Sequence, residues 1–113
     1  MSQTIDFNES LVNNFVESIR PQDEEIRKQV DIGYSYDKNT IILFEIRPAW
    51  DNPQEILHHG FAKIRYYKSK KEWTLYLMRA SGNWEAYEPF PNSTHLEELI
   101  EVIKKDKHAC FFG

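Results

Sequence analysis

Apolar residues recur along the chain with two periods, and the change from one to the other marks where helix gives way to strand. Between residues 8 and 19, Leu11, Phe15 and Ile19 fall at i, i+4 and i+8 with Val12 and Val16 beside them, the stripe of an amphipathic helix. Asn8 is its expected cap, and Phe7 its staple against Val12. Pro21 ends this helix or opens another turn through Ile26, where Asp23, Glu24 and Glu25 suit a helix start. The period then becomes two: Val30, Ile32, Tyr34 and Tyr36 alternate with Asp31, Gly33 and Ser35, which predicts a half-buried strand. Residues 40–50, TIILFEIRPAW, are the densest β-forming run and predict the central strand of a sheet, ended by Pro48, which has no N–H to donate.

Asp37, Lys38 and Asn39 join these two strands. Read as a three-residue loop, the turn pairs Tyr34 with Ile42, Ile32 with Phe44 and Val30 with Ile46, so that the large apolar residues share the helix-facing side. Ile41, Leu43, Glu45 and Arg47 then take the other face, whereas a two-residue loop, with Asp31 opposite Ile46, breaks that pattern. Residues 48–59 read as a long loop with two prolines. Residues 61–67 and 73–80 predict a second hairpin around Lys70 and Lys71, pairing Ala62 with Arg79, Ile64 with Leu77 and Tyr66 with Leu75. Lys63, Arg65, Tyr67, Thr74, Tyr76 and Met78 lie on its opposite face. Gly82-Asn83 predicts a two-residue turn into a strand at 84–87, and Thr94-x-x-Glu97 reads as a capping box. Leu96, Leu99, Ile100 and Ile103 stripe a closing helix whose carboxyl end carries Lys104, Lys105 and Lys107. The expected architecture is α+β and two-layer: a five-stranded antiparallel meander with an N-terminal and a C-terminal helix on one face.

Composition narrows the class. The chain has 113 residues, which predicts a single domain over 1–113, and its 41% hydrophobic and 28% charged content is that of a folded globular protein. An aromatic content of 14% suggests binding surfaces in addition to core. No apolar run approaches the ~20 residues that span a bilayer, and MSQTIDFNES lacks the basic and apolar regions of a signal peptide, so a cytoplasmic protein without a membrane partner is expected. Cys110 is the sole cysteine, which excludes an internal disulfide and fits a reducing compartment. A net charge of −4 disfavours nucleic acid as a partner unless a local basic patch holds it.

Arg47-Pro48-Ala49-Trp50, Ala62-Lys63-Ile64-Arg65-Tyr66, Trp73-Thr74-Leu75-Tyr76 and Trp84-Glu85-Ala86-Tyr87, closed by Phe111-Phe112-Gly113, form a spaced set of aromatic motifs. The set resembles the bacterial family known as domain of unknown function 3024, over roughly residue 29 to the carboxyl terminus. The resemblance implies a bacterial origin and a stand-alone compact domain. It implies no activity and assigns no catalytic residue.

The sheet face away from the helices carries whatever chemistry the chain has. In the chosen register Asp31 lies opposite Glu45, and facing carboxylates repel unless a cation stands between them. Lys63 or Arg65 from the next strand supplies one in a solvated ion-pair ladder. A divalent metal is the alternative: Asp31, Glu45 and Arg47 are loosely similar to the acidic strand pair of magnesium-dependent restriction-type nucleases, although the proline-aspartate step is absent and an arginine, a poor proton shuttle, stands where lysine would. Lys63, Arg65, Tyr67, Tyr76 and Trp50 also interleave cations with rings as single-stranded nucleic-acid platforms do. Ile41 and Leu43 on the same face argue for a protein partner or self-association, since they are otherwise wet. His58-His59 lacks metal-ligand spacing, and His108-x-Cys110 supplies two of four zinc ligands, so no metal or other cofactor is expected.

The reading reached is a non-enzymatic binding module that presents Arg47, Trp50, Lys63, Arg65, Tyr67 and Tyr76, with the 48–59 loop, to a protein or a small anionic ligand. A metal-dependent phosphodiester hydrolase using Asp31 and Glu45, with Arg47 beside them, and single-stranded nucleic-acid binding are the alternatives. The apolar tail 109–113 is expected to dock, with Arg79 pairing either the terminal carboxylate or a local glutamate, Glu85 or Glu88.

Overall fold

The computed structural model describes residues 6–37, 39–106 and 111. Asp6 starts the first helix: its carboxylate accepts from the N–H groups of Asn8 at 2.9 Å and Glu9 at 3.4 Å, and α1 runs Phe7–Ile19. The cap is therefore Asp6 and not Asn8, and Phe7 points outward instead of stapling Val12. Val12, Phe15 and Val16 are buried, with Leu11 and Ile19 on the flanks of the stripe. A short helix, α2 (Glu24–Arg27), follows and is capped by Asp23. Six strands come next, β1 (Asp31–Asp37), β2 (Thr40–Pro48), β3 (Ile56–Tyr67), β4 (Glu72–Met78), β5 (Trp84–Ala86) and β6 (Asn92–Ser93), and α3 (Leu96–Lys105) closes the chain. The sheet is an antiparallel meander in the order β1-β2-β3-β4-β5, and β6 shares the β4 edge with β5, pairing Ser93 with Trp73 and Asn92 with Thr74. This is the expected α+β meander with a helix at either end. No helix among the described residues is long and apolar enough to cross a membrane.

The first hairpin takes the register that the apolar pattern argued against. Asp37 pairs with Thr40, Tyr36 with Ile41, Tyr34 with Leu43, Ile32 with Glu45 and Asp31 with Ile46. Because side chains alternate, this reverses the faces of β2: Ile41 and Leu43 are core residues, and Ile42, Phe44 and Ile46 face away from the helices. Ile41 and Leu43 make the other half of the β2 alternation apolar as well, up to Glu45, so the preference that hydrophobicity gave to Ile42, Phe44 and Ile46 was slight. Tyr34 and Tyr36 face the first helix in either register, Tyr34 donating to Glu9 Oε2 at 3.1 Å and Tyr36 to Asp6 Oδ2 at 2.8 Å, and what the observed register provides is a place for Phe44 opposite Gly33.

The second hairpin keeps the expected faces with a register two residues away. Ala62 pairs with Leu77, Ile64 with Leu75 and Tyr66 with Trp73, because a turn at 68–71 joins Tyr67 to Glu72 and Lys71 adopts a positive φ of 54° there. Between β2 and β3, Leu43 faces Ala62 but Phe44 faces Gly60, so Phe61 is the extra residue of a bulge. Residues 56–59, expected in a loop, belong to β3. The turn before β5 is wider than two residues: the Arg79 N–H donates to the Asn83 carbonyl and the Gly82 N–H to the Arg79 carbonyl, with Gly82 at φ +88°. The Thr94-Glu97 capping box does not form. His95 is the N-cap, and Ser93 accepts from its N–H at 3.0 Å while donating to Glu98 Oε1 at 2.6 Å.

One apolar cluster joins the layers, with Ile41, Leu43, Ala62, Ile64 and Leu75 of the sheet against Val12, Phe15 and Val16 of α1 and Leu96, Leu99 and Ile103 of α3. Phe111, from the apolar tail, is 8% exposed and packs on Tyr87, as expected of a docked segment; residues 107–110 and 112–113 lie outside the described residues. Arg79 pairs with Glu85 at 3.3 Å, the local alternative. The shortest dimension of the molecule, 22 Å, is that of a sheet with one layer of helices on it.

Candidate functional site

Since α1 and α3 both pack on one side of the sheet, the alternate side chains of the strands project from the other side, with neither of these helices above them. The apolar half of this face comes from β2. Phe44 stacks on His58 of β3, ring centroids 4.8 Å apart and planes at 17°. Gly33 of β1 leaves the room: a Cβ there would lie 2.9 Å from the Phe44 ring and 3.0 Å from the Ile46 side chain. Trp84 of β5 reaches over to β3 in the same way, since a Cβ on Gly60 would meet its indole at 3.1 Å and Ile42 at 3.4 Å.

The other half interleaves cations with rings. Lys63 Nζ stands 4.8 Å from the centre of the Tyr76 ring and 5.5 Å from that of Trp84. The Arg65 guanidinium lies 5.2 Å from the Tyr67 ring, and Lys70 Nζ 5.8 Å from the same ring. The hydroxyls of Tyr67 and Tyr76 are hydrogen-bonded to each other. Burial first, and then that bond, push the Tyr76 phenol up to about 12, so it stays protonated at neutral pH.

The cations of this face are not in ion pairs: none of Lys63, Arg65 and Lys70 has a carboxylate within ion-pair distance among the described residues. Several carboxylates are engaged elsewhere, Asp31 and Glu17 by Arg20, Glu45 by Arg47, Glu25 by Lys28 and Glu85 by Arg79, whereas Asp37, opposite Thr40, and Glu72, opposite Tyr67, share the face with the cations. Glu97 and Glu101 are exposed on α3, on the helix side of the sheet. A chain of net charge −4 thus presents a local cationic surface.

Of the residues named from sequence, Lys63, Arg65, Tyr67 and Tyr76 come together on this face. Arg47 does not; it falls on the opposite alternation of β2 and pairs with Glu45 at 2.6 Å. Trp50 is 94% exposed in the β2–β3 connection, a turn held by bonds from the Ala49 N–H to the Glu55 carbonyl at 2.8 Å and from the Glu55 N–H to the Asn52 carbonyl at 2.9 Å. It stands apart from the ring contacts of the sheet. Asp31 and Glu45 are not opposite each other: Asp31 faces Ile46, and the alternation sends the two carboxylates to opposite sides of the sheet. The acidic pair of the hydrolase reading therefore does not assemble, and among the described residues no group of three or more His, Cys, Asp or Glu side chains could hold a metal ion. His108 and Cys110 lie outside the described residues.

Phe44 and His58 are absent from the sequence expectation because the face of β2 is the reverse of that expected and 56–59 belongs to a strand, and Trp84 because it meets Gly60 across an intervening strand. The glycines were the available signal, since a glycine inside a strand marks close approach of a neighbour, and Gly33 and Gly60 are the two that Phe44 and Trp84 cover.

A family model matches residues 2–113, and its description is a domain of unknown function, DUF3024. Comparison with curated proteins and comparison with solved structures each gave no match.

Proposed function

This chain belongs to the DUF3024 family, whose description carries no activity, and from the outer sheet face we propose that it is a non-enzymatic binding module for an anionic ligand. The observation that supports this reading is the set of cations directed at rings: Lys63 between Tyr76 and Trp84, and Arg65 and Lys70 at Tyr67. A lysine or arginine held over a ring keeps its charge and its N–H donors for a ligand, while the ring orients its stem. An anion approaching the face meets several such groups, none of them in an ion pair among the described residues, with Glu72 opposite Tyr67 as the neighbouring carboxylate.

Chromatography on immobilised heparin tests the reading. The protein is expected to be retained at low salt, and the double substitution Lys63→Glu with Arg65→Glu to elute much earlier with an unchanged melting temperature. A protein that passes straight through, or a double variant that elutes with the parent, removes the anionic-ligand reading.

The apolar half of the face supports a second reading, in which another copy of the chain covers Ile42, Phe44 and Ile46. Light scattering across a concentration series decides it: a mass of two chains that falls to one in Phe44→Lys is expected, and a strict monomer at every concentration ends it.

A further inference from the structure

We infer that the ligand of this face is a single-stranded nucleic acid, its bases stacked on Trp84 and on the Phe44–His58 pair and its phosphates met by Lys63, Arg65 and Lys70. The inference rests on the anionic-ligand reading and adds the rings to it. An acidic surface of any kind would satisfy the cations. Only a ligand that repeats a flat ring and a negative charge also uses the aromatic groups interleaved with them.

Three placements carry the argument. Trp84 reaches across the sheet to Gly60, two of its indole atoms at 3.1 and 3.2 Å from where a Cβ would be, and the ring is only partly buried there. Phe44 and His58 form a stacked pair at 4.8 Å, a second platform on the same face. Lys63 stands between the Tyr76 and Trp84 rings, so a phosphate that it binds is adjacent to a base stacked on either. Lys63 and Arg65 are i and i+2 on one strand, about 6.6 Å apart along it, a repeat that a polyanionic backbone can follow. A duplex is a poor fit, because its bases are already stacked on one another and a sheet of rings cannot enter its grooves. The net charge of −4 is not evenly spread, since Glu97 and Glu101 are exposed on α3, on the helix side, while Lys63, Arg65 and Lys70 gather at the rings of this face.

Fluorescence anisotropy of the whole chain separates the possibilities, with a labelled oligo-dT strand, the matching duplex, and inorganic polyphosphate and poly-glutamate as competitors. Oligo-dT is expected to bind in the micromolar range at low salt and at least about tenfold tighter than the duplex, with Trp84→Leu losing about tenfold for the strand while leaving polyphosphate affinity unchanged. Arg65→Glu, at an exposed position, should weaken the strand and polyphosphate alike and guards against a misfolded Trp84 variant. Equal affinity for the strand and polyphosphate, or indifference of strand binding to Trp84→Leu in a folded protein, overturns the nucleic-acid inference and leaves the anionic-ligand reading standing. Capture of poly-glutamate in preference to the strand makes the occupant an acidic protein segment and also overturns it. Binding of none of the polyanions removes both.

Discussion

Arg20 grips Asp31 with one edge of its guanidinium, Nε donating to Oδ1 and Nη2 to Oδ2, each at 2.9 Å. This fork ties the end of α1 to the first residue of β1 and is one reason that Asp31 is not available to a metal or to Glu45. The Arg20 bonds, with a further one from the Ile32 N–H at 2.8 Å, hold the Asp31 carboxyl below its ordinary value of 3.8. A carboxylate lowered in the folded state contributes stability above its unfolded pKa, and that contribution is lost as pH falls through the folded value.

Urea unfolding followed against pH should therefore show stability falling below about pH 4. Asp31→Asn should cost about 1–2 kcal/mol at neutral pH, the pair being partly exposed, and should flatten the acid limb. An acid limb as steep in the variant as in the parent would show that Asp31 is not its source.

At the alkaline end the sign is opposite. Burial, followed by the bond to Asp6, pushes the Tyr36 phenol up to about 12. A tyrosine raised in the folded state contributes stability below its unfolded value of 10.0, and the contribution disappears as pH climbs through the folded value. Stability should fall between pH 10 and about 12, and tyrosinate absorbance should show late-titrating phenols, Tyr76 among them. Tyr36→Phe should remove one of these and soften the decline. If every tyrosine titrates near its ordinary value in the native protein, the half-buried phenols of Tyr36 and Tyr76 are not held back by the fold.

The periods of the chain revealed the elements, their order and the helix stripes, because burial on one side leaves a visible alternation in sequence. They misjudged register, and the reason lies in particular residues. Residues 41–46 of β2 are apolar at nearly every position, so sliding the hairpin by one residue exchanges one apolar set for another, while Tyr34 and Tyr36 face α1 in both and only the fit of Phe44 opposite Gly33 is particular to the observed one. In the second hairpin the error was an even number of residues, so the faces survived it and Lys63, Arg65, Tyr67 and Tyr76 were brought together as expected. The other half of the candidate site was illegible without the strand order, since Trp84 of β5 meets Gly60 of β3 across an intervening strand.

Gly33 and Gly60 give that surface its shape. Gly33→Ala removes a conformational cost of glycine worth about 0.5–1 kcal/mol, but it drives a methyl to 2.9 Å from Phe44 and 3.0 Å from Ile46. The displaced ring should dominate, with a net loss of about 1 kcal/mol in urea unfolding. In a Phe44→Leu background the same change should cost less, and that coupling is the measurement to make. Equal costs in both backgrounds would mean that the ring and the glycine are independent.

Phe111 offers the sharpest test of the inner layer. Its ring lies 5.0 Å from that of Tyr87 with planes at 51°, and its backbone N–H donates at 3.0 Å to Asp106 Oδ1, at the left-handed residue that ends α3. Tyr87 is itself 2% exposed, and its N–H donates to the Leu75 carbonyl of β4, so Phe111 covers a tyrosine anchored to the sheet edge. Removing the ring should open a cavity over Tyr87 and cost about 2–4 kcal/mol in Phe111→Ala, whereas Phe111→Leu should recover much of the loss. Asp106→Ala removes the bond and keeps the ring, and should cost about 1 kcal/mol. Chemical denaturation of the three variants distinguishes packing from hydrogen bonding, and a Phe111→Ala protein with the midpoint of the parent would show that the segment contributes nothing to the core.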